Sequence, residues 1–212
     1  MEVLMSIFIF TQFSIDSIIE KCKIKWDAIE TYTCTYESYQ KKGKEEDKRT
    51  YFVEFKKPLW IRLKVLKGKD RGSEVMYNPE KDIVRGRKGG LLRGIVLTLK
   101  PDDKKVVSLR GYRVYHAGIG EIYRRIFEYY EKGYPVKLIG KFKEEGFEGW
   151  KIEFEVKEPG EFFGCAREVF WIRNDFIPYK CEQWNENGEY VLYSRFFKVD
   201  INVSIKEERF KL

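Results

Sequence analysis

The side chains that could do chemistry in this sequence are few and scattered. There is one histidine, His116, in Tyr115-His116-Ala117. An imidazole can act as a general base near neutral pH, but a lone histidine just ahead of a helix more often caps or packs. No GxSxG, HExxH or phosphate-loop pattern occurs. The carboxylate pairs Asp102-Asp103 and Glu144-Glu145 fall in turns, where such residues are solvated. The four cysteines, Cys22, Cys34, Cys165 and Cys181, include no CxxC pair and no zinc spacing. Cys22 and Cys34 fall on apolar faces and read as buried thiols. Cys165 and Cys181 lie on neighbouring strands, in a register that does not set them opposite each other, so the disulfide state stays open.

Two basic features remain. The run Arg85-Gly86-Arg87-Lys88-Gly89-Gly90 could cradle a phosphate or an anionic lipid head group. No helix follows it, and a plain basic hairpin loop is the simpler reading. Arg62 stands beside Trp60, one residue out of phase with Leu59, Ile61 and Leu63. Alternation points it outward. A bulge after Pro58 would turn it inward instead, where it could hydrogen-bond a carbonyl.

Such residues need elements to position them. The chain has 212 residues, enough for one domain with a sizeable core. Its net charge of +7 is spread through alternating Lys and Glu rather than gathered in a patch, the look of solvated strand faces rather than of a nucleic-acid footprint. Apolar residues at 15, 18, 19, 22 and 26 predict a helix over 15–28, with Ser14 as N-cap. A second helix over 119–130 has Ile119, Ile122, Tyr123, Ile126, Phe127 and Tyr130 on one face. Glu121, Arg124, Arg125 and Glu128 lie on the other.

Between and after the helices, short alternating runs predict strands at 30–40, 50–56, 59–67, 74–77, 83–87, 91–99, 136–142, 147–157, 167–173, 177–184 and 190–203. The polar run 41–48 reads as a turn. In the late hairpin, Phe170 should face Cys181 and Ile172 should face Tyr179. The outer faces are charged, so only the inner face needs a cover. The fold class is α+β: a half-open, strongly curved antiparallel β-barrel of about 10–11 strands, with amphipathic helices over its concave face. Residues 15–203 form a single domain, and residues 204–212 form a polar tail. Residues 1–14 read as a possible signal segment, because 3–13 are largely apolar yet too short to span a membrane.

Several stretches carry a family resemblance. Residues 54–62 (EFKKPLWIR), 72–77 (GSEVMY) and 176–203, the closing hairpin, resemble the LolA/LolB/RseB-like cell-envelope lipoprotein carriers. Residues 111–126 (GYRVYHAGIGEIYRRI) are similar to an uncharacterised branch of that group, a domain of unknown function, in which a Gly-(Ile/Leu) step opens the helix. Order and spacing match over about residues 15–203. The resemblance implies a non-enzymatic, periplasmic or otherwise exported protein without cofactor or metal. It also implies an apolar cavity for a lipid or lipoprotein acyl chain.

The expected cavity lining is Tyr51, Val53, Phe55, Ile61, Leu63, Tyr123, Phe127, Trp150, Ile152 and Phe154, with Arg62 as a polar ligand contact. These residues lie on the apolar faces of the strands and of the lid helix. An RseB-like role, sensing or binding an envelope protein with the same barrel, is the second reading. An anionic membrane surface is a further possible partner. Nucleic acid is not expected, because the helices cover the curved face.

Overall fold

Helix α1 (Ile15–Asp27) begins where Ser14 turns its hydroxyl onto the amide of Ser17 at 3.1 Å. It ends at Ala28, and its stripe of Ile18, Ile19 and Cys22 is buried. This is the predicted helix to within one residue. The computed structural model describes residues 14–90 and 94–211. The possible signal segment therefore lies outside the described residues, except for Ser14.

The strands are β1 (Thr31–Lys42), β2 (Glu45–Lys56), β3 (Trp60–Lys67), β4 (Glu74–Asn78), β5 (Ile83–Arg87) and β6 (Val96–Leu99). After helix α2 (Ile119–Glu131) come β7 (Val136–Glu144), β8 (Phe147–Glu155), β9 (Arg167–Arg173), β10 (Pro178–Trp184) and β11 (Tyr190–Ile201). Among the described residues all eleven strands join one open antiparallel sheet in the order β6-β5-β4-β3-β2-β1-β11-β10-β9-β8-β7. Nearly every neighbour is a hairpin partner. The long-range exception is β1 with β11, which brings the two halves of the chain together at the centre. This is the predicted α+β half-barrel, with six strands before α2 and five after it.

One expected turn proved to be strand. Residues 41–48 continue β1 and β2 into an extended ribbon, in which Lys41 faces Glu46 and Lys42 faces Glu45. Opposite charges across the ladder support the pairing, and the reversal is confined to Gly43 and Lys44, with Gly43 at φ +61. In the late hairpin, Phe170 faces Cys181 as expected, but a bulge sets Ile172 opposite Pro178. Tyr179 accordingly points outward.

Helix α2 lies on the concave side, against α1 and β10. Its opening needs glycine. Gly118 takes φ +96, and a Cβ there would run into the hydroxyl of Tyr32, which sits at the amides of Ile119 and Gly120. A Cβ on Gly120 would stand 2.8 Å from the Trp26 ring of α1. The polar face predicted for α2 is a solvent face only in part, at Arg124 and Glu128. Glu121 and Arg125 are buried, and so is Tyr129, while Tyr130 is partly exposed and donates to Asp16 at 2.7 Å.

The main core fills the space between the helices and the strand centres. The convex face also buries apolar groups, contrary to expectation: Phe142, Val169, Trp171 and Tyr179 cluster there, with Phe147 and Trp184 beside them. Lys180 and Arg173 lie over two of these rings at 4.5 and 4.7 Å, where cations on ring faces add to the packing. The last residues are not a free polar tail. Glu207–Phe210 forms a 3₁₀ turn on the convex face, Phe210 is buried against Trp60, and Arg209 holds Glu54 at 2.7 and 2.8 Å. All four cysteines are buried free thiols, and burial raises the Cys22 thiol to about 12.

Candidate functional site: a cleft with a polar inner end

The segment between β6 and α2 has little regular structure and is tied down by side chains. The Arg110 amide donates to Gln40 Oε1 at 3.1 Å, and its guanidinium donates to the carbonyls of Lys41 and Phe163. Tyr112 packs on Phe163 with ring centres 4.0 Å apart, and Tyr115 packs on Tyr77 at 4.7 Å. Residues 105–117 are thereby held across the concave face of β1–β6, leaving a cleft of about 1120 Å³ between them and the sheet.

The two ends of the cleft differ. Its mouth carries charges of both signs, among them Glu46, Arg49, Lys69, Lys88 and Lys105. Its walls are apolar: Leu63, Val65 and Val75 from the sheet, Leu97 and Leu99 from β6, and Val106 and Leu109 from the crossing segment. Its inner end reaches the buried side chains Tyr36, Ser38, Gln40, Arg125, Leu192 and Ser194.

Arg125 anchors the inner end. Its Nε and Nη2 donate to Glu168 at 3.1 and 2.9 Å, and its Nη1 donates to Glu121 at 3.1 Å. The Tyr129 hydroxyl donates to Glu168 at 2.9 Å. Burial works against the charge of Glu121, but Arg124 and Arg125 outweigh it and hold this carboxyl below its ordinary range. His116 sits beside the cleft, with Nδ1 accepting the Arg113 amide at 3.2 Å; burial, with three arginines nearby, lowers its pKa to about 4. The imidazole is neutral at pH 7 and serves as the cap of the Val114–His116 turn.

The ten residues expected to line a cavity are divided. Tyr51 and Leu63 line the cleft. Val53, Phe55, Ile61, Tyr123, Trp150, Ile152 and Phe154 are packed in the core, with Phe127 against it. Arg62 does not turn inward. The strand keeps its phase after Pro58, so Arg62 lies on the convex face, pairing with Glu54 and with Glu74 at 2.5 Å. Arg87 of the basic run also holds Glu74, at 2.8 Å, and Lys88 reaches the cleft mouth. Among the described residues, no group of three His, Cys, Asp or Glu side chains could hold a metal ion.

Sequence reasoning missed the polar inner end, although a signal existed. Ser38 and Gln40 continue the buried phase of Tyr32, Cys34 and Tyr36, and Ser194 sits between Leu192 and Phe196. Glu168 and Gln183 likewise occupy buried phases of β9 and β10. A polar residue in a buried phase marks either a network or a site.

No protein-family model and no curated protein sequence matches the chain. Solved structures do. An uncharacterized conserved protein from Thermus thermophilus superposes with a TM-score of 0.55 at 11% identity, covering 93% of this chain and 92% of its own. The Mycobacterium tuberculosis lipoprotein LppX superposes with a TM-score of 0.55 at 10% identity, over 91% of this chain and all of its own (100%). The chain shares its fold with LppX. MucB, solved in complex with MucA(peri), matches with a TM-score of 0.51 at 12% identity over 94% of this chain, which spans 60% of the MucB chain. Identities this low speak for the shared fold and for nothing finer. Among the described residues, no helix is long and apolar enough to cross a membrane.

Proposed function

We propose that this chain is a non-catalytic cell-envelope protein that holds a lipid or a lipoprotein acyl chain in the cleft beneath residues 105–117. The observation that carries the reading is the cleft itself: about 1120 Å³, walled by Leu63, Val65, Val75, Leu97, Leu99 and Val106. Ligand sites are concave, largely apolar and of this order of size. Each chain methylene buried there contributes about 0.8 kcal/mol, so a long chain binds without any specific polar contact. The lipoprotein LppX and MucB, found with MucA(peri), share the fold and support an envelope setting. So do the apolar residues 3–13.

Native mass spectrometry and lipid extraction of the purified protein test the reading, together with displacement of a hydrophobic fluorescent probe. A co-purifying lipid, or a fatty acid that displaces the probe, is expected. Leu97→Glu and Leu63→Glu should abolish probe binding in folded protein. A protein that carries no lipid and binds no probe would refute the reading. For export, N-terminal sequencing from the native cell should find residues 1–13 removed or membrane-associated, and an intact N-terminus in a cytoplasmic fraction counts against it.

Binding of a protein partner is the second reading. It is favoured by β6, an edge strand whose Leu97 is 45% exposed, with Ile95 beside it at 57%. Such an edge can accept a strand from another chain.

A further inference from the structure

A chamber built for hydrocarbon alone would be apolar to its end, and this one is not. Four adjacent strands place polar side chains inward at matching register. Glu168 faces Gln183, Cys181 faces Ser194, Ser194 faces Ser38, and Leu192 faces Gln40. Ser38, Gln40 and Ser194 line the cleft and are buried.

The hydroxyls among them are incompletely used. The oxygens of Tyr36 and Ser194 are 3.2 Å apart, and Ser38 bonds to the same tyrosine. Ser194 also meets the Cys181 sulfur, so the three protons have three contacts among them, while each hydroxyl oxygen keeps a lone pair that a further donor can use. Behind Tyr112, Gln183 accepts the tyrosine hydroxyl at 2.9 Å, while its fully buried amide nitrogen has no partner among the described residues. A buried donor left unmet costs free energy, so native structures usually supply it with a water or a ligand.

The Arg125 network is matched in charge, and Arg110, whose amide meets Gln40, spends its guanidinium on the carbonyls of Lys41 and Phe163. Arg124 and Arg125 stand against Glu121 and Glu168, and every nitrogen of Arg125 donates to a carboxylate. An anion entering here would be desolvated with no free cation offered by this network, at a cost that a neutral group escapes.

We propose that the cleft takes an amphipathic molecule with an uncharged, hydrogen-bonding head group and takes it head inward. The head, an ester, amide or alcohol, lies against Tyr36, Ser38 and Ser194, and the chain runs outward along Leu97, Leu99 and Val106. This rests on the reading of the cleft as a lipid-binding site and adds the class and orientation of the ligand.

The test is probe displacement by three ligands with the same twelve-carbon chain: monolauroylglycerol, laurate and dodecane. Wild-type protein should be displaced by monolauroylglycerol at about tenfold lower concentration than by either of the others, the scale of one or two hydrogen bonds. Ser194→Ala and Tyr36→Phe should each shrink that preference to within about threefold and leave dodecane unchanged. Ser38→Ala serves if either variant fails to fold, as judged by circular dichroism. Equal displacement by all three ligands, a preference for laurate, or a preference that survives the variants would overturn the head-inward proposal while leaving lipid binding standing. Displacement by none of them would overturn both.

Discussion

Arg125 of α2 and Glu168 of β9 form a buried two-point ion pair, 2.9 and 3.1 Å long, that joins the lid helix to the sheet at the inner end of the cleft. Both side chains are almost wholly withdrawn from water, at 4% and 0% exposure. A buried pair gives little net stability compared with an apolar pair, but breaking it strands a charge. Glu168→Gln or Arg125→Met alone should therefore destabilise the protein by about 3–5 kcal/mol. The double variant should recover part of that loss. Denaturant unfolding of the two single variants and the double variant measures the coupling, and additive losses would show that the pair does not act as a unit.

His116 makes stability depend on pH in a definite direction. Its folded pKa of about 4 lies below the ordinary 6.5, so between these values the unfolded chain binds the proton and the folded chain does not. The contribution is fully present above pH 6.5 and is lost as pH falls toward 4. It amounts to about 3 kcal/mol at most, and less in practice because the ring is not fully enclosed. His116→Asn keeps an acceptor for the Arg113 amide but cannot titrate. Its unfolding free energy should fall less steeply between pH 6.5 and 4 than that of the wild type. Parallel curves for the two proteins would count against this assignment.

Gly118 should not tolerate a side chain. Gly118→Ala faces a φ of +96 and the hydroxyl of Tyr32. Backbone strain of this kind costs about 1–3 kcal/mol before the clash is counted. In a Tyr32→Phe background the clash is relieved and the backbone cost remains, so thermal melting should show a smaller loss for the same alanine.

The C-terminal turn works as a strap on the convex face. Phe210→Ala should cost about 3–5 kcal/mol, the scale of a large aromatic removed from a packed site. It should also red-shift the fluorescence of Trp60, which Phe210 covers. Arg209→Ala should cost less, about 0.5–1 kcal/mol, because this guanidinium is half exposed and Glu54 keeps Arg62 as its partner. An Arg209 variant less stable than the Phe210 variant would reverse the assigned roles.

The local elements could be read from the sequence because each rests on a nearby cause. Ser14 caps α1, and the 3.6-residue stripe that defines α2 and the two-residue alternation along β8 need no distant partner to be recognised. The eleven strands, their split around α2, the outward phase of Arg62 and the inward phase of Tyr51 and Leu63 all follow from such short-range periodicity. Tertiary structure alone decided which inward side chains meet one another and which face a void. Val53 and Leu63 share a phase and a register pair, yet Val53 is packed in the core while Leu63 lines the cleft, because curvature and the seat of residues 105–117 fall differently on each. The same holds for Glu121 and Arg125. On an isolated helix they read as a solvent face, and only the approach of β9, carrying Glu168, supplies the partner that offsets the cost of burying them. Periodicity tells a side chain which way to point, and only the three-dimensional packing determines what it meets there.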